Sequence, residues 1–304
     1  MSERVNVLLT TYNGARFLRE QLESFQYQTH APHRITVRDD VSTDGTMSIL
    51  LEWAASRPGI SVLTGPNLGV TRNFFTLLVD AGQDCDYFAF ADQDDVWLPN
   101  KIENAVASLR RHDSDQPLMY CSRVEYVDEE LAHLGYSRIP KRTDFANALV
   151  ENVATGCTAV LNRRARDLVV GRFPERALIH DWWCYLVVTA FGKVIYDPRP
   201  GIKYRQHGNN LTGGTASTTE LFKRRLTRFL KNPRNIKLLS GQASEFERCF
   251  GDILAPHHKK TLEDFLSVQG DLWKRIRYTT VMDVWRQSWS DTLILRALIL
   301  MGRM

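Results

Sequence analysis

Three aspartates within four residues, Asp92, Asp94 and Asp95, directly follow an apolar run at residues 87–91. Carboxylates this close repel one another, and a hard divalent cation removes that repulsion. Mg²⁺ and Mn²⁺ commonly take one or two carboxylates together with phosphate oxygens. The cluster therefore indicates a site for a cation that holds a diphosphate. The alternative is a solvated acidic turn, in which Asp95 caps a helix that starts near Asn100.

Two shorter polar clusters earlier in the chain carry groups that could bind a nucleotide. In the sequence TTYNG, the ring of Tyr12 could stack on a base, or Asn13 could simply cap the next helix. In RDDVSTDGT, Asp39 or Asp40 could accept hydrogen bonds from a base N–H or a ribose hydroxyl. The alternative for this second cluster is a tight turn, which its Asp-Gly pair signals.

The motif HDWW in the second half of the chain contains a candidate general base, Asp181. Such a carboxylate can take a proton from a hydroxyl that attacks an electrophilic carbon. The alternative is a carboxylate that caps a helix at residues 182–190. The two interpretations are compatible, because a helix N-terminus also orients a carboxylate.

The motif YRQHGNN, which begins at Tyr204, carries a third set of candidate groups. His207 could be a third metal ligand and Arg205 a partner for a diphosphate, since imidazole and guanidinium suit those tasks. A single histidine can equally be structural or exposed. The small-residue sequence ENVATGCT at residues 151–158 is either a loop that lines the site or a plain buried turn.

Alternating strands and helices must position these clusters. Strands are predicted at residues 5–9, 35–37, 61–63 and 87–91, and helices at residues 15–28, 46–55 and 74–81. Such alternation favours parallel βαβ units, which bind ligands at the carboxyl ends of their strands. The first three polar clusters follow strands, so they should converge on one crevice. Beyond residue 115 the pattern is less regular, with strands at 120–127 and 193–196 and a helix at 165–170.

The composition is that of a globular protein in a reducing compartment. Of 304 residues, 43% are hydrophobic, and the five cysteines are scattered without a CxxC pair. The N-terminal sequence does not have the form of a signal peptide, and no apolar stretch approaches the ~20 residues of a membrane span. We therefore expect a cytoplasmic protein.

The C-terminal third is basic. Residues 215–304 contain 16 Lys and Arg against 9 Asp and Glu, a balance of +7, which leaves −3 for residues 1–214. This tail is predicted to be mostly helical. An apolar stripe begins with Leu221, Phe222, Leu226, Phe229 and Leu230, and it continues with Val284, Trp285, Trp289, Leu293 and Leu298. Such a tail is typical of peripheral contact with an anionic membrane. The alternatives are packing on the rest of the chain, with a solvated basic face, and homodimerisation.

Four segments together resemble the family 2 glycosyltransferases of GT-A fold: LLTTYNG, VRDDVSTDGT, NLGVTRNF and ADQDDVWLPNK. The resemblance is close over residues 4–110 and looser to about 210. It implies a Rossmann-like mixed sheet flanked by helices, with a nucleotide-sugar half at 1–110, an acceptor half at 111–214 and a helical extension at 215–304. Val41 departs from the family, which has glycine there.

The resemblance also implies a site. The donor, a nucleotide-diphospho-sugar, would be held by Thr10, Tyr12, Asn13, Asp39, Asp40, Asn67, Arg72, Asp92 and Arg205. Asp94, Asp92 and His207 would bind the divalent cation, Mn²⁺ or Mg²⁺. Asp181 would be the catalytic base, although His180 stands where the family has the first acid of a Glu-Asp pair.

The expected activity is an inverting, metal-dependent transfer of one sugar per encounter, because the QxxRW motif of processive relatives is absent. The RQH segment is similar to that of rhamnosyltransferase-like proteins, which suggests dTDP-rhamnose and a saccharide or lipid-linked saccharide acceptor in surface polysaccharide or O-antigen synthesis. The alternative is a non-catalytic protein that binds nucleotide sugars or glycans. A nucleotidyltransferase would need a Gly-rich basic loop, and nucleic acid is not an expected partner.

Overall fold

The computed structural model describes residues 3–207 and 238–303. Within them, nine strands form one mixed sheet in the order β3-β2-β1-β4-β8-β6-β9-β5, with β7 paired to β6. The strands are β1 Val5–Thr11, β2 Arg34–Asp39, β3 Ile60–Thr64, β4 Tyr87–Ala91, β5 Val96–Trp97, β6 Leu118–Val127, β7 His133–Tyr136, β8 Val160–Asn162 and β9 Lys193–Arg205. The helices are α1 Leu18–Gln26, α2 Thr46–Ala55, α3 Val70–Asp80, α4 Lys101–Leu109, α5 Phe145–Ala148, α6 Arg163–Gly171, α7 His180–Phe191, α8 Leu238–Phe250, α9 Pro256–Leu266, α10 Leu272–Val281 and α11 Trp289–Leu300.

The first half is the predicted parallel sheet. Strand β1 pairs in parallel with β2 on one side and β4 on the other, and β2 pairs in parallel with β3. Every residue of β1 is buried, as expected for a strand covered on both faces by helices. The carboxyl ends of β1, β2 and β4 therefore lie at one edge, which carries the three polar clusters.

The second half extends the sheet with strands of both directions. Strand β8 is antiparallel to β4 and β6, whereas β9 is parallel to β6. Strand β9 runs well beyond the predicted 193–196, through Pro198 and Pro200. Shifts of its register against β6 at Ser122 and Arg123 accommodate the prolines, which cannot donate to a regular ladder. The longer strand brings Arg205 and His207 back to the aspartates that follow β4.

Helix α1 is shorter than predicted. It begins at Leu18 because the carbonyl of Gly14 accepts hydrogen bonds from the N–H groups of Phe17 and Leu18, forming a turn before the helix. Asn13 lies outside that helix and does not cap it. Helix α3 is longer than predicted, since it begins at Val70 rather than at residue 74.

Helices α8 to α11 share a hydrophobic core with the central helix α7. Phe246 and Phe250 of α8 pack around Trp183 of α7, and α9 and α11 add further apolar side chains to the same core. The described part of the tail thus packs on the rest of the chain. The apolar stripe at residues 221–230 and the boundary predicted at 214 lie outside the described residues. Among the helices that are described, none has both the length and the apolar character to span a bilayer.

Candidate active site

Asp39 ends β2 and is held by donors from two loops. Its Oδ2 accepts hydrogen bonds from the hydroxyls of Thr11 at 2.7 Å and Ser42 at 2.6 Å, and its Oδ1 accepts one from the Ser42 N–H at 2.8 Å. The side chain is 1% exposed. Asp39 therefore ties the end of β1 to the loop after β2, and its contact with a nucleotide stays a prediction. Thr11 was not predicted to take part, although its position opposite Asp39 in the β1–β2 register would have identified it.

Asp40 is also buried and fully engaged. The backbone N–H groups of Leu68 and Gly69 each donate to its carboxylate at 2.8 Å, and Arg38 donates to Oδ1 at 3.1 Å. Its backbone carbonyl accepts from the side chain of Asn67 at 3.0 Å. Asp40 thus fixes the loop that leads into α3. Thr10 lies beside it at the buried end of β1, and Asn67 and Arg72 are exposed at the loop and the first turn of α3.

The loops after β1 and β4 are joined by Gln93. Its Oε1 accepts from the Tyr12 N–H at 2.8 Å, and its Nε2 donates to the Tyr12 carbonyl at 3.0 Å. The Tyr12 side chain is 53% exposed and free to stack on a base. A Cβ on Gly14 would lie 2.2 Å from Oε1 of Gln93, so only glycine leaves room for this pair. Gln93 was missed because a glutamine between two aspartates gives no sequence signal of a contact with a distant loop.

Two neighbouring residues in these loops have left-handed backbone conformations. Asn13 has φ +48° and accepts hydrogen bonds through Oδ1 from the N–H and hydroxyl of Thr43, linking the β1 and β2 loops. Val41 has φ +68°, which is sterically costly for a β-branched residue. Glycine, which the family resemblance implies at this position, would adopt the conformation without this steric cost.

Asp92 and Asp94 lie partly buried after β4, and His207 reaches them from the end of β9. Nε2 of His207 is 2.9 Å from Oδ2 of Asp94. The imidazole ring also packs on Phe17, with centroids 5.3 Å apart. The structure thereby brings together two of the predicted metal ligands, Asp94 and His207, from segments more than one hundred residues apart, whereas the ligand atoms of Asp92 lie close to those of Asp95 and Cys157.

Asp95 differs from its prediction as a turn or cap residue. Helix α4 begins without a side-chain cap, and Asp95 is buried at 1% exposure. Its Oδ1 accepts from the N–H of Arg205 at 3.2 Å. Its carboxylate, that of Asp92 and the Cys157 thiol have ligand atoms within 4.8 Å of one another. The cap prediction was wrong because contact with β9, which a local pattern does not show, draws this carboxylate inward.

Lys101 supplies a buried amine near this group. It is 0% exposed, and its Nζ lies 3.5 Å from the centroid of the Trp97 ring. Burial lowers the pKa of Lys101 to about 7, although the charges of Cys157 and Asp95 act in the opposite direction and raise it. As a lysine at the start of a helix it would ordinarily be read as exposed, so sequence reasoning missed it.

The acids of this cluster are costly to ionise. Burial raises the pKa of Asp92 to about 7, and the charges of Asp94 and Asp181 add to the effect. Burial likewise raises the pKa of Asp95 well above its usual range, with further contributions from Asp94 and Asp92. Such mutual repulsion is what a bound cation relieves. The donor set, carboxylates with one imidazole, fits a divalent cation such as Mn²⁺ or Mg²⁺.

Asp181 lies at the start of α7, next to this cluster. Its Oδ1 accepts from the Trp182 N–H at 2.6 Å, and the side chain of Asn152 and the N–H of Gly156 also bond to it. Burial raises the pKa of Asp181 to about 6 despite these donors. A Cβ on Gly156 would lie 3.3 Å from its Oδ2, so the segment at 151–158 closes tightly around it. A carboxylate with this pKa suits general-base work near neutral pH.

His180 beside it is a neutral, apolar-lined group. Its ring stacks on Phe74 at a centroid distance of 3.8 Å and meets the edge of Phe90. Burial lowers the pKa of His180 to about 3, so the imidazole carries no charge at neutral pH. The residue that replaces the first acid of the family pair therefore adds no charge next to Asp181.

Arg205 anchors the acidic loop. Its Nε donates to the carbonyl of Asp94 at 2.9 Å, its NH2 donates to Glu20 at 2.8 Å, and its NH1 donates to the carbonyl of Glu129. Only 1% of the residue is exposed. Its contact with a diphosphate stays a prediction, whereas its contacts here position the aspartates.

Comparisons with known proteins identify the family of the chain. A family model described as glycosyl transferase family 2 matches residues 6–168. The dTDP-rhamnosyl transferase RfbG of Shigella flexneri is 31% identical over 228 residues, covering 71% of this chain and 77% of the relative. The Escherichia coli β-1,3-glucosyltransferase WfgD, which acts with UDP-Glc, is 29% identical over 52% of this chain and 60% of its own length.

Solved structures show the same fold. S. aureus TarS 1–349 in complex with UDP-GlcNAc superposes with a TM-score of 0.59 at 14% identity, over 99% of this chain and 82% of that one. The mannosyltransferase PcManGT from Pyrobaculum calidifontis, in complex with GDP-Man and Mn²⁺, gives a TM-score of 0.57 at 16% identity, over 99% of this chain and 86% of that one. The mixed sheet and its flanking helices are therefore of the GT-A type.

Proposed function

The chain belongs to glycosyl transferase family 2, and from that premise we propose that it is an inverting, metal-dependent, non-processive enzyme that moves one sugar from a nucleotide-diphospho-sugar to a saccharide or lipid-linked saccharide. The observation that carries the proposal is the position of Asp181. Asp181 is a buried carboxylate whose pKa is raised to about 6, and it is near enough to Asp92 for its charge to raise the pKa of that residue. A base close to a cation-binding group is what a direct displacement requires.

The donor would lie along the edge formed by β1, β2 and β4. Tyr12 would stack on the base, while Thr10, Asn13, Asp39 and Asp40 form the pocket around it. Asn67 and Arg72 are exposed where the loop after β3 enters α3, within reach of the same edge. Because Gln93 binds the Tyr12 backbone, the base pocket and the diphosphate pocket would be held at a fixed separation.

Asp92, Asp94 and His207 would hold the cation, and Arg205 would fix the loop that presents them. Bound there, Mn²⁺ or Mg²⁺ would neutralise the charge that develops on the leaving diphosphate. Asp181 would accept the proton of the acceptor hydroxyl while the hydroxyl oxygen attacks the anomeric carbon. The bond between that carbon and the nucleoside diphosphate would break on the opposite face of the sugar. One attack of this kind inverts the configuration.

For the donor we propose dTDP-rhamnose, and for the pathway surface polysaccharide or O-antigen synthesis. The support is the identity to a relative named as a dTDP-rhamnosyl transferase, together with the RQH segment at the end of β9. We further propose that the enzyme works in the cytoplasm, in peripheral contact with the membrane through its basic C-terminal region.

A donor panel tests this function. UDP-, GDP- and dTDP-sugars would be incubated with the protein, Mn²⁺ or Mg²⁺ and an acceptor mixture, and release of nucleoside diphosphate would be followed. We expect release from dTDP-rhamnose above all other donors, with loss of the signal on chelation by EDTA. Turnover with another donor would overturn the assignment of the sugar, and binding of donors without turnover would overturn the transferase mechanism.

A further inference from the structure

Helices α10 and α11 form an antiparallel pair with a wide apolar surface facing outward. A Cβ on Gly302, just after α11, would lie 2.3 Å from the guanidinium of Arg275 near the start of α10, so the end of one helix meets the beginning of the other. The exposed apolar residues of this pair and its ends are Leu272, Trp273, Ile276, Val281, Trp289, Leu293, Leu300 and Met301. We call these eight residues the hairpin face.

The hairpin face is opposite to the side that packs on the core. In α10, Tyr278 is buried, whereas Trp273 is 80% exposed. In α11, Leu295 and Ile299 are buried, whereas Trp289 is 75% exposed on the other side of the helix. Of the predicted apolar stripe, Trp289 and Leu293 are both exposed. Two tryptophans at opposite ends of an antiparallel pair are typical of a surface that enters a membrane interface.

The charge around the hairpin face is basic. Residues 272–303 contain six Lys and Arg against two Asp, a balance of +4. Of the two acids, Asp291 is buried, and Asp283 accepts a hydrogen bond from Thr261. Lys274, Arg277 and Arg296 are exposed among the apolar side chains. An apolar surface with interspersed basic residues matches an anionic lipid surface.

A second copy of the chain fits this surface less well. A symmetric dimer would place the hairpin face against itself, because both subunits of a two-fold pair use the same patch. Arg296 and its basic neighbours would then approach their own copies. Anionic headgroups, in contrast, offer the opposite charge to the basic residues that surround the hairpin face.

The turn between the two helices connects this surface to the acceptor side of the site. The N–H of Gln287 donates to Glu151 at 2.6 Å, and the Trp285 indole N–H donates to Asp144 at 3.1 Å. Glu151 begins the segment at 151–158 whose Asn152 side chain bonds to Asp181. Only a few residues therefore separate the hairpin from the proposed base.

We propose that the hairpin face docks on an anionic lipid bilayer and so holds the acceptor side of the site against the membrane. The acceptor would then be a saccharide carried by a membrane lipid, whose sugar reaches Asp181 from the bilayer surface. The docking names the surface that would make the peripheral membrane contact proposed above, and the statement about the acceptor rests on the proposed transferase activity.

Vesicle flotation with the full chain tests the docking. The probes are phosphatidylcholine vesicles with and without 30–40% phosphatidylglycerol, and the variant is Trp273→Ser with Trp289→Ser. Tyr27→Ser, an equally exposed aromatic on the nucleotide half, is the matched control. We expect binding to the anionic vesicles only, reduced by salt, and lowered about tenfold or more in the double variant but not in the control.

A second readout identifies the residues in contact. Brominated lipids should quench the tryptophan fluorescence of the wild-type protein, and most of that quenching should disappear in the double variant. Undiminished vesicle binding by the double variant, or equal binding to neutral vesicles, would overturn the proposal. The proposal would also be overturned if the wild type were a dimer, the double variant were a monomer and the two bound vesicles equally well.

The assignment of a lipid-linked acceptor is tested separately. Release of nucleoside diphosphate with a soluble saccharide acceptor should be the same in the double variant and the wild type, whereas transfer to a lipid-linked acceptor in vesicles should fall with binding. Vesicle binding without any transfer would leave the docking standing and overturn the proposed function. An equal rate with both acceptors in both proteins would overturn the lipid-linked assignment.

Discussion

Two groups of acids lie at one edge of the sheet, and they are stabilised in different ways. Asp39 and Asp40 accept hydrogen bonds from Thr11, Ser42, Arg38 and the backbone of residues 68–69, so the protein itself compensates for their burial. Asp92 and Asp95 have pKa values raised by burial and by neighbouring carboxylates, and burial raises the pKa of Asp181 despite its hydrogen bonds. We call these the paired acids and the crowded acids.

The difference indicates which acids shape the site and which do chemistry. A carboxylate with a full set of protein donors is a fixed part of a scaffold, and its removal leaves those donors without an acceptor. A carboxylate kept in repulsion is ready for a partner that arrives from outside, such as a cation or a proton. Mutations of the two groups should therefore have opposite consequences.

The largest effect is expected at Asp181. Asp181→Asn should lower the rate of transfer by about a thousandfold, because the acceptor hydroxyl loses its proton acceptor, while donor affinity stays near that of the wild type. Nucleoside diphosphate release and donor titration measure the two quantities. A turnover near the wild-type value would place the base elsewhere and remove Asp181 from the crowded acids that act on the substrate.

The same residue determines the acid side of the pH profile. Since the base must be ionised, kcat/KM should fall as the pH falls through the pKa of Asp181, which is about 6 without a bound cation. A nearby cation favours the ionised form, so the apparent value should be about 6 or lower. A profile that keeps its acid limb in Asp181→Asn would show that another group titrates.

Among the paired acids, Asp40→Asn should destabilise the protein by about 3 kcal/mol, because Arg38 is left buried without its counter-charge. Arg38 and Asp40 side chains are only 5% and 4% exposed. Urea unfolding measures the loss, with Asp80→Asn on the exposed side of α3 as the control. An unchanged free energy of unfolding would mean that Asp40 is not compensated by the contacts seen here.

Among the crowded acids, Asp92→Asn should do the reverse in the cation-free protein. An acid whose pKa is raised on folding loses stability as the pH rises from its ordinary value towards the raised one, here from 3.8 to about 7. At pH 8 the variant should therefore be more stable by about 2 kcal/mol, roughly half of the unscreened value. Mn²⁺ should stabilise the wild type more than the variant, and thermal unfolding with and without the cation measures this difference. An equal shift of the melting temperature in the two proteins would contradict the prediction.

These two groups also mark the limit of what the sequence could predict. The βαβ order of the first half follows from its alternating pattern, so the convergence of the clusters after β1, β2 and β4 was predictable and is confirmed. The inward turn of Asp95 depends on Arg205, 110 residues away, and β9 was underestimated because its two prolines normally end a strand. The buried amine of Lys101 and the role of Gln93 also rest on long-range contacts that no local pattern encodes.

Gln93 connects the two groups, and its removal should separate them. In Gln93→Ala the Tyr12 backbone loses both of its side-chain partners, so the donor KM should rise about tenfold with a smaller change in kcat. Gly14→Ala, which forces the same amide out of place, should have a similar effect. A fall in kcat alone, with the KM unchanged, would mean that Gln93 acts on the crowded acids rather than by positioning Tyr12.

The smallest effect is expected next to the paired acids, at Val41. Its φ of +68° costs a β-branched residue about 1–3 kcal/mol. The hydrogen bonds that Asp39 and Asp40 accept from residues after the turn hold Val41 in that conformation. Val41→Gly relieves the strain but adds freedom to the unfolded chain, so a net gain in stability of about 1 kcal/mol is expected from urea unfolding. Val79→Gly, at a similarly exposed valine in helix α3, should instead destabilise the protein, because glycine weakens a helix interior. If both variants lose stability, the turn after Asp40 is not strained. The opposite signs would show that the paired acids stabilise their loop strongly enough to hold a residue in a conformation it disfavours.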